Sequence, residues 1–461
     1  MHAEEVVAGM SDAAAEKPEV DQRTVRRAVI ASAMGNATEW YDYGVFTSGA
    51  IATSIGTVFF PGEGNAVLKS LALVAVGFVV RPFGGAFFGP LGDKLGRQKV
   101  LAITILLMSG CTFLVGCLPT YAGPYSIGIA APVAVLLLRL IQGFSTGGEY
   151  GGAATFIAEY APTKRRGFFG SFLEMGTLAG YVLGNVVVLA VTLSLSHEQV
   201  EAWGWRIPFF VALPLGLIGL YLRSKLEDTP EFRRLEATGK KPEKAPLRET
   251  LTRNWRMILN LIGIVLLLNI ADYMLLTTMP TYFTDTLKIN DNTSTLIIIG
   301  VELVQMAIIL PLGALSDRIG RKPLLLTAAI GFAVLSWPSI KLMQSGSILW
   351  LVVGFLIVAV LLVFMLAVIG STFPAMFPTR VRYGSFAIGY NVSTSIFGGT
   401  CGVIVTALIK STGNADWPAY YLIIAALIAI VPILKIPETS QVPIEQIDTA
   451  DTGGSLVGAK R

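Results

Sequence analysis

Asn36, Glu39, Asp42 and Tyr43 recur at three- to four-residue spacing within a largely apolar run. On a helix that spacing lines them along one face, so two carboxylates share a stripe. A second run holds Arg139, Gln142, Thr146 and Glu149, spaced 3, 4 and 3, which confines them to an arc of about 80°. Arg139 and Glu149 then lie about 15 Å apart along the axis, so each needs a partner on another helix. Glu39 or Asp42 suits Arg139, and Arg81 suits either carboxylate. Burial disfavours a carboxylate's charge and a nearby arginine favours it, so a movement that separates such a pair can load and release a proton. The competing reading for each acid is a structural ion pair that ties helices together.

The only histidines are His2 and His197, near the N-terminus and in a polar connection, which leaves carboxylates as the titrating groups. Glu39, Asp42, Glu149, Glu174, Asp272 and Glu302 are the candidates, with Asp42 and Glu39 first and Glu149 and Asp272 next. Trp40, Tyr41, Tyr43, Phe144, Tyr150, Tyr273 and Tyr390 offer aromatic faces, which attract a quaternary or secondary ammonium. Core packing is the alternative for most of them; Trp40 and Tyr43 stand out because they share a helix with Glu39 and Asp42. An anionic ligand would instead draw on Arg81 and Arg139.

The elements that position these groups follow from composition. Hydrophobic residues make up 53% of the 461 and charged residues 14%, against about a quarter charged in soluble domains, so the chain is an integral membrane protein. Apolar stretches give twelve helices, the first near 28–58, the fourth near 127–158, the eleventh near 384–411 and the last near 417–436. The first has no short apolar core with a cleavage site, and reads as a retained span. With both termini inside, 28 of the 35 Lys/Arg fall in cytoplasmic segments and five (Lys69, Arg206, Lys288, Lys341, Lys410) outside, which sets the orientation. The net charge of +4 therefore reports topology and gives no reason to expect nucleic acid. Cys111, Cys117 and Cys401 read as packing residues rather than a disulfide or metal framework. Gly176, Gly180 and Gly184 form a small-x-x-x-small row suited to close helix packing.

The chain also repeats itself. Gly89-Pro-Leu-Gly92-Asp93-Lys-Leu-Gly96-Arg97 is answered by Gly313-Ala-Leu-Ser316-Asp317-Arg318-Ile-Gly320-Arg321, with the aspartates 224 positions apart, and Pro162-Thr-Lys-Arg165 by Pro378-Thr-Arg380, 216 positions on. Two landmarks at nearly one offset indicate duplicated halves, with a site between them. The expected organisation is a disordered cytoplasmic tail 1–22, a six-helix half 23–223, a basic cytoplasmic loop 224–256, a second half 257–437 and a short tail 438–461 without heptads, so no coiled coil is expected.

The doubled loop motif resembles the signature of the major facilitator superfamily. Gly35-Asn36-Ala-Thr-Glu39-Trp40-Tyr41-Asp42-Tyr43, Gln142-Gly143-Phe-Ser-Thr-Gly147-Gly148-Glu149-Tyr150 and Trp203-Gly-Trp205-Arg206-Ile-Pro208 resemble its metabolite:proton symporter family. Pro374-Ala-Met-Phe377-Pro378-Thr379 and Pro418-Ala-Tyr420-Tyr421-Leu422 bring it nearest to proline/glycine-betaine transporters. Asp272 departs from that pattern, where a neutral or aromatic residue is expected. The resemblance implies an all-α, twelve-helix carrier of the bacterial plasma membrane, taking up a compatible solute such as proline, glycine betaine or ectoine with protons. The alternative is a proton symporter for a carboxylic acid such as 2-oxoglutarate, citrate or shikimate. It implies gating by Gly89, Asp93, Gly96, Arg97, Asp317, Arg318, Gly320 and Arg321, where simple obedience to the positive-inside bias is the competing reading. The residues expected to line the substrate site are Asn36, Trp40, Tyr43, Arg81, Arg139, Gln142, Tyr150, Tyr273, Tyr390 and Asn391. No cofactor, metal or obligatory protein partner is expected, and no nucleophile elbow, phosphate loop or metal cluster suggests an enzyme.

Overall fold

The computed structural model describes residues 22–60, 62, 66–95, 97–123, 125–225, 254–377 and 382–442. Among these every regular element is helical. The membrane helices are α1 (Gln22–Thr47, continued by Gly49–Phe59), α2 (Ala66–Val79, continued by Arg81–Leu95), α3 (Arg97–Cys117) and α4 (Ala130–Thr146, continued by Glu149–Tyr160). There follow α5 (Arg166–Ser194), α6 (Ile207–Ser224), α7 (Trp255–Tyr273, continued through two π turns, Met274–Thr278 and Tyr282–Thr286) and α8 (Asp291–Ile319). The last are α9 (Lys322–Met343), α10 (Ile348–Thr372), α11 (Arg382–Ser393, a π turn Thr394–Gly398, then Cys401–Thr412) and α12 (Trp417–Lys435). Eleven of these are long and apolar enough to cross a membrane. The exception is α1, whose hydropathy is diluted by the polar stripe it carries. It also starts at Gln22, one residue inside the segment expected as a tail. The inter-half loop 226–253 and the tail beyond 442 lie outside the described residues.

Glycines decide how closely the site-bearing helices approach. A Cβ at Gly176 would strike the Ala33 carbonyl, one at Gly180 the Ala37 carbonyl, and one at Gly184 would sit 2.7 Å from the Tyr41 carbonyl. The expected small-residue row is therefore the seat of α1 on α5, and it sets the rotation that turns Glu39 and Asp42 inward. Helices α2 and α4 cross in the same way, since a Cβ at Gly143 would meet the Gly77 carbonyl, one at Gly84 that of Phe144 and one at Gly147 that of Arg81. That crossing carries Arg81 and Arg139 to α1.

At the end of the bundle where α1 begins and α12 ends, the two six-helix groups are latched. The Asp317 carboxylate, on α8, accepts hydrogen bonds from the Gly167 and Phe168 N–H groups (2.7 and 2.9 Å) at the start of α5. A negative charge there meets the positive end of the helix dipole. Arg382 on α11 reaches Glu159 on α4 at 3.8 Å. At the opposite end the contact is lighter: Thr192 on α5 donates to Asn292 on α8 at 2.9 Å.

Candidate functional site

Three buried arginine–carboxylate pairs climb α1 like rungs. The lowest lies against Gly35: Arg223 of α6 donates to Glu149 of α4 at 2.6 Å, and a Cβ at position 35 would overlap the guanidinium. In the middle, Arg81 of α2 bonds Glu39 and donates to the Tyr43 hydroxyl at 2.7 Å. In the uppermost, Arg139 of α4 donates to Asp42 at 2.6 Å and to Gln142 at 2.6 Å, while Thr112 of α3 donates to Asp42 at 2.9 Å. The Arg139 guanidinium also lies over the Phe46 ring, 3.2 Å from its centroid. All six charged groups are no more than 3% exposed. Such pairs persist in a low-dielectric interior because losing either partner strands the other charge.

The second half is built differently. Asp272 on α7 and Glu302 on α8 are buried, and no cation among the described residues pairs with them; Asp272 Oδ1 and both Glu302 oxygens have no hydrogen-bond partner. In the first half one acid is also without an arginine among the described residues: Glu174 on α5 accepts from the Tyr150 hydroxyl at 2.7 Å and from Thr177 at 2.9 Å.

Between the halves four aromatic rings close into a box. Trp40 lies 5.2 Å from Tyr43 and 5.5 Å from Tyr273 between ring centroids; Phe78 lies 5.5 Å from Tyr43 and 5.0 Å from Tyr273. The Arg81 guanidinium sits against this box, 4.4 Å from the Phe78 centroid and 5.7 Å from that of Tyr43. A second pair, Tyr150 on α4 and Tyr390 on α11, stacks at 4.2 Å and 11°. Across the cluster Tyr43 and Tyr273 are 6.4 Å apart, so the rings pack on one another here; their faces become available to a cation when the rings part, and Arg81 beside them can take a carboxylate.

The structure sorts the expected residues. Trp40, Tyr43, Arg81 and Tyr273 come together, and Tyr150 and Tyr390 meet across the halves. Asn36 falls away from the box: its amide donates to the Leu173 carbonyl (3.0 Å) and to Thr177 (2.5 Å), because α5 packs against that turn of α1. Arg139 and Gln142 belong to the uppermost rung, with Gln142 also donating to Thr112 at 3.1 Å. Asn391 donates to the Gly147 carbonyl at 2.8 Å and the Ala387 carbonyl at 2.9 Å, bridging α11 to the break in α4. Of the two acids proposed for Arg139, Asp42 holds it and Glu39 holds Arg81.

In the second loop motif, Arg321 lies 3.7 Å from Asp317 and donates to the Ser371 carbonyl at 3.0 Å, and Gly320 turns with φ +95°, a conformation that only glycine adopts freely. The Arg318 side chain is exposed and makes no hydrogen bond or ion pair with a described residue. In the first copy Gly89 and Asp93 lie in the second segment of α2 and Arg97 opens α3; Gly96 and the side chains around it lie outside the described residues. Arg223, in the last turn of α6 next to the basic loop, is not among the residues singled out by sequence. Phe78 was missed too; its position three residues before Arg81 on one helix was the available signal.

A family model described as sugar (and other) transporter matches residues 28–245 and 233–450. The chain is 44% identical over 436 residues to a glycine betaine/proline/ectoine/pipecolic acid transporter of Dickeya dadantii, covering 92% of this chain and 86% of that relative. It is 42% identical to a proline/betaine transporter of Escherichia coli K12 over the same shares. Among solved structures, the proton:xylose symporter XylE bound to 6-bromo-6-deoxy-D-glucose superposes with a TM-score of 0.76 at 18% identity, over 93% of this chain and 99% of that one. This multi-pass membrane chain is a transporter rather than an enzyme, and it belongs to the sugar (and other) transporter family, with the fold of the major facilitator superfamily.

Proposed function

We propose that this protein takes up a small zwitterionic compatible solute, such as glycine betaine, proline or ectoine, together with protons across the bacterial plasma membrane. Both termini face the cytoplasm in this reading. The observation that carries it is the aromatic box between the halves with Arg81 against it. Trp40, Tyr43, Phe78 and Tyr273 suit the ammonium of a zwitterion, and Arg81, released from Glu39, suits its carboxylate. The transporters of Dickeya dadantii and Escherichia coli named above support the same solute class.

The charge pattern suggests how protons enter. A buried carboxyl with no cation beside it is far cheaper as the neutral acid than as the anion, so Asp272 and Glu302 carry protons in this conformation while Asp42 and Glu39 hold arginines. The rungs lie within residues 23–223, so they open by competition rather than by rocking alone: the solute carboxylate draws Arg81 from Glu39, protonation of Glu39 and Asp42 frees the arginines, and rocking of 23–223 against 257–437 about loop 224–256 then alternates access. Asp317 and Arg321 hold the cytoplasmic end shut in the conformation described here. No resident cofactor, metal or obligatory protein partner is needed for this cycle.

The test is accumulation of radiolabelled glycine betaine and proline in proteoliposomes, with and without an inside-alkaline proton gradient. Gradient-driven accumulation is expected, competed by betaine and indifferent to citrate, 2-oxoglutarate and shikimate. Gradient-driven movement of one of those acids instead, with no betaine uptake, would overturn the zwitterion reading.

A further inference from the structure

At the end of the bundle opposite the start of α1, a cavity of about 280 Å³ opens between the π-turned end of α7 and the last turns of α11, with Thr281, Tyr282, Asp285, Thr286, Thr406 and Lys410 in its lining. That volume lies near the lower limit of ligand pockets and suits a solute of few atoms. Two features separate it from an ordinary surface dimple. First, α7 turns twice in the wide π geometry, at Met274–Thr278 and Tyr282–Thr286, and most of the lining comes from these turns and the short segment between them. Single π turns inside α-helices concentrate at functional sites. Second, Asp285 and Lys410 carry opposite charges on one cavity yet form no ion pair with each other or with any other described residue. Their charged atoms therefore stand more than 4.0 Å apart, the limit for such a pair.

We infer that this cavity is a loading site for the zwitterion, outside the aromatic box, with Lys410 receiving the solute carboxylate and Asp285 its ammonium. Tyr282 contributes a fixed wall, since its hydroxyl donates to the Ala415 carbonyl at 2.9 Å and accepts from Gln344 at 3.0 Å. Threonine hydroxyls from both helices supply neutral donors and acceptors around the two charges. The gap between opposite charges selects a molecule that carries both: a simple cation satisfies Asp285 and leaves Lys410 bare, and an anion does the reverse. Asp285 lies twelve residues beyond Tyr273 on the same helix, less than about 18 Å along its axis because much of that stretch is wound in the wider π geometry, so solute held here sits outside the box, toward the end of α7. The inference rests on the proposed reading of zwitterion uptake with the termini inside.

The test uses the full-length protein with Cys117→Ser and Thr286→Cys, reconstituted in proteoliposomes and exposed to a membrane-impermeant thiol reagent. Glycine betaine is expected to slow modification of the new thiol severalfold, whereas choline and acetate give little protection. Protection should persist when Trp40→Ala cripples the aromatic box and disappear with Asp285→Asn or Lys410→Gln. Both of those side chains are exposed, so neither substitution threatens the fold. In uptake assays the same two variants should raise the betaine KM while leaving the maximal rate unchanged. Absence of protection, or protection lost with Trp40→Ala and kept with Lys410→Gln, would overturn the site. Protection without any gradient-driven uptake by the unmodified protein would instead overturn the transport reading and leave the loading site standing.

Discussion

Replacing Asp42 with asparagine probes the uppermost rung. Arg139 Nη1 and Asp42 Oδ2 are 2.6 Å apart, with the two side chains 3% and 1% exposed. At that separation and an effective dielectric of about 20, their attraction is about 6 kcal/mol. Desolvation of both ions offsets much of it, and removing one partner of a buried pair typically costs about 3–5 kcal/mol because the other charge is stranded. The amide oxygen of the substituted asparagine would still accept a hydrogen bond from Arg139, which places the expected loss at about 3 kcal/mol, the low end of that range. Arg139→Gln should cost a similar amount. The double variant should recover about 2 kcal/mol relative to the sum, since neither charge is then left alone. Thermal unfolding of the four purified proteins in one detergent checks the cycle. Transport gives the second readout: Asp42→Asn should abolish gradient-driven accumulation while betaine exchange continues, because exchange needs no net proton movement. Additive losses in the double variant would refute the pairing, and full accumulation by Asp42→Asn would refute its proton role.

The other perturbations reach the packing and the latch. Gly180→Leu drives a side chain into the Ala37 carbonyl, so α1 must leave its seat on α5; overpacking of this kind costs about 1–3 kcal/mol or more, and a lower melting temperature together with lost uptake is expected, whereas Ala in place of the exposed Leu183 on the same helix should be silent. Asp317→Asn removes the charge that caps the start of α5 at 2.7 and 2.9 Å; dipole and charge-assisted bonding there are together worth about 1–2 kcal/mol. The latched end should therefore open more often, read as faster modification of a cysteine replacing the buried Ser171, which packs against Gly313 of α8 on the same seam.

Much of this arrangement was legible in the residues alone. Alternation of long apolar runs with basic connections specifies a twelve-helix membrane protein, because hydrocarbon admits only helices whose backbone bonds are satisfied internally. The repeated Asp-x-x-Gly-Arg motif announces two halves, and the polar stripes on α1 and α4 announce buried charges, since 3.6-residue periodicity is a local property. The small-residue row of α5 likewise predicted its own close contact.

Which charge meets which is a different matter. The stripe on α1 offered Glu39 and Asp42 equally to Arg139, and only the crossing of α2 and α4 through Gly77, Gly84, Gly143 and Gly147 gives Asp42 to Arg139 and Glu39 to Arg81. Arg223 stands beside the basic loop in the chain, and only the packing of the last turn of α6 turns it inward to Glu149 of α4. Asp272 and Glu302 look in sequence like the other intramembrane acids; that no cation among the described residues pairs with them depends on how the helices of the second half pack. The aromatic box draws its rings from α1, α2 and α7, whose spacing in the chain exceeds two hundred residues between Trp40 and Tyr273. Periodicity fixes the face a residue occupies, but partners across helices are set by axial register and crossing geometry, which are settled only when all the helices pack.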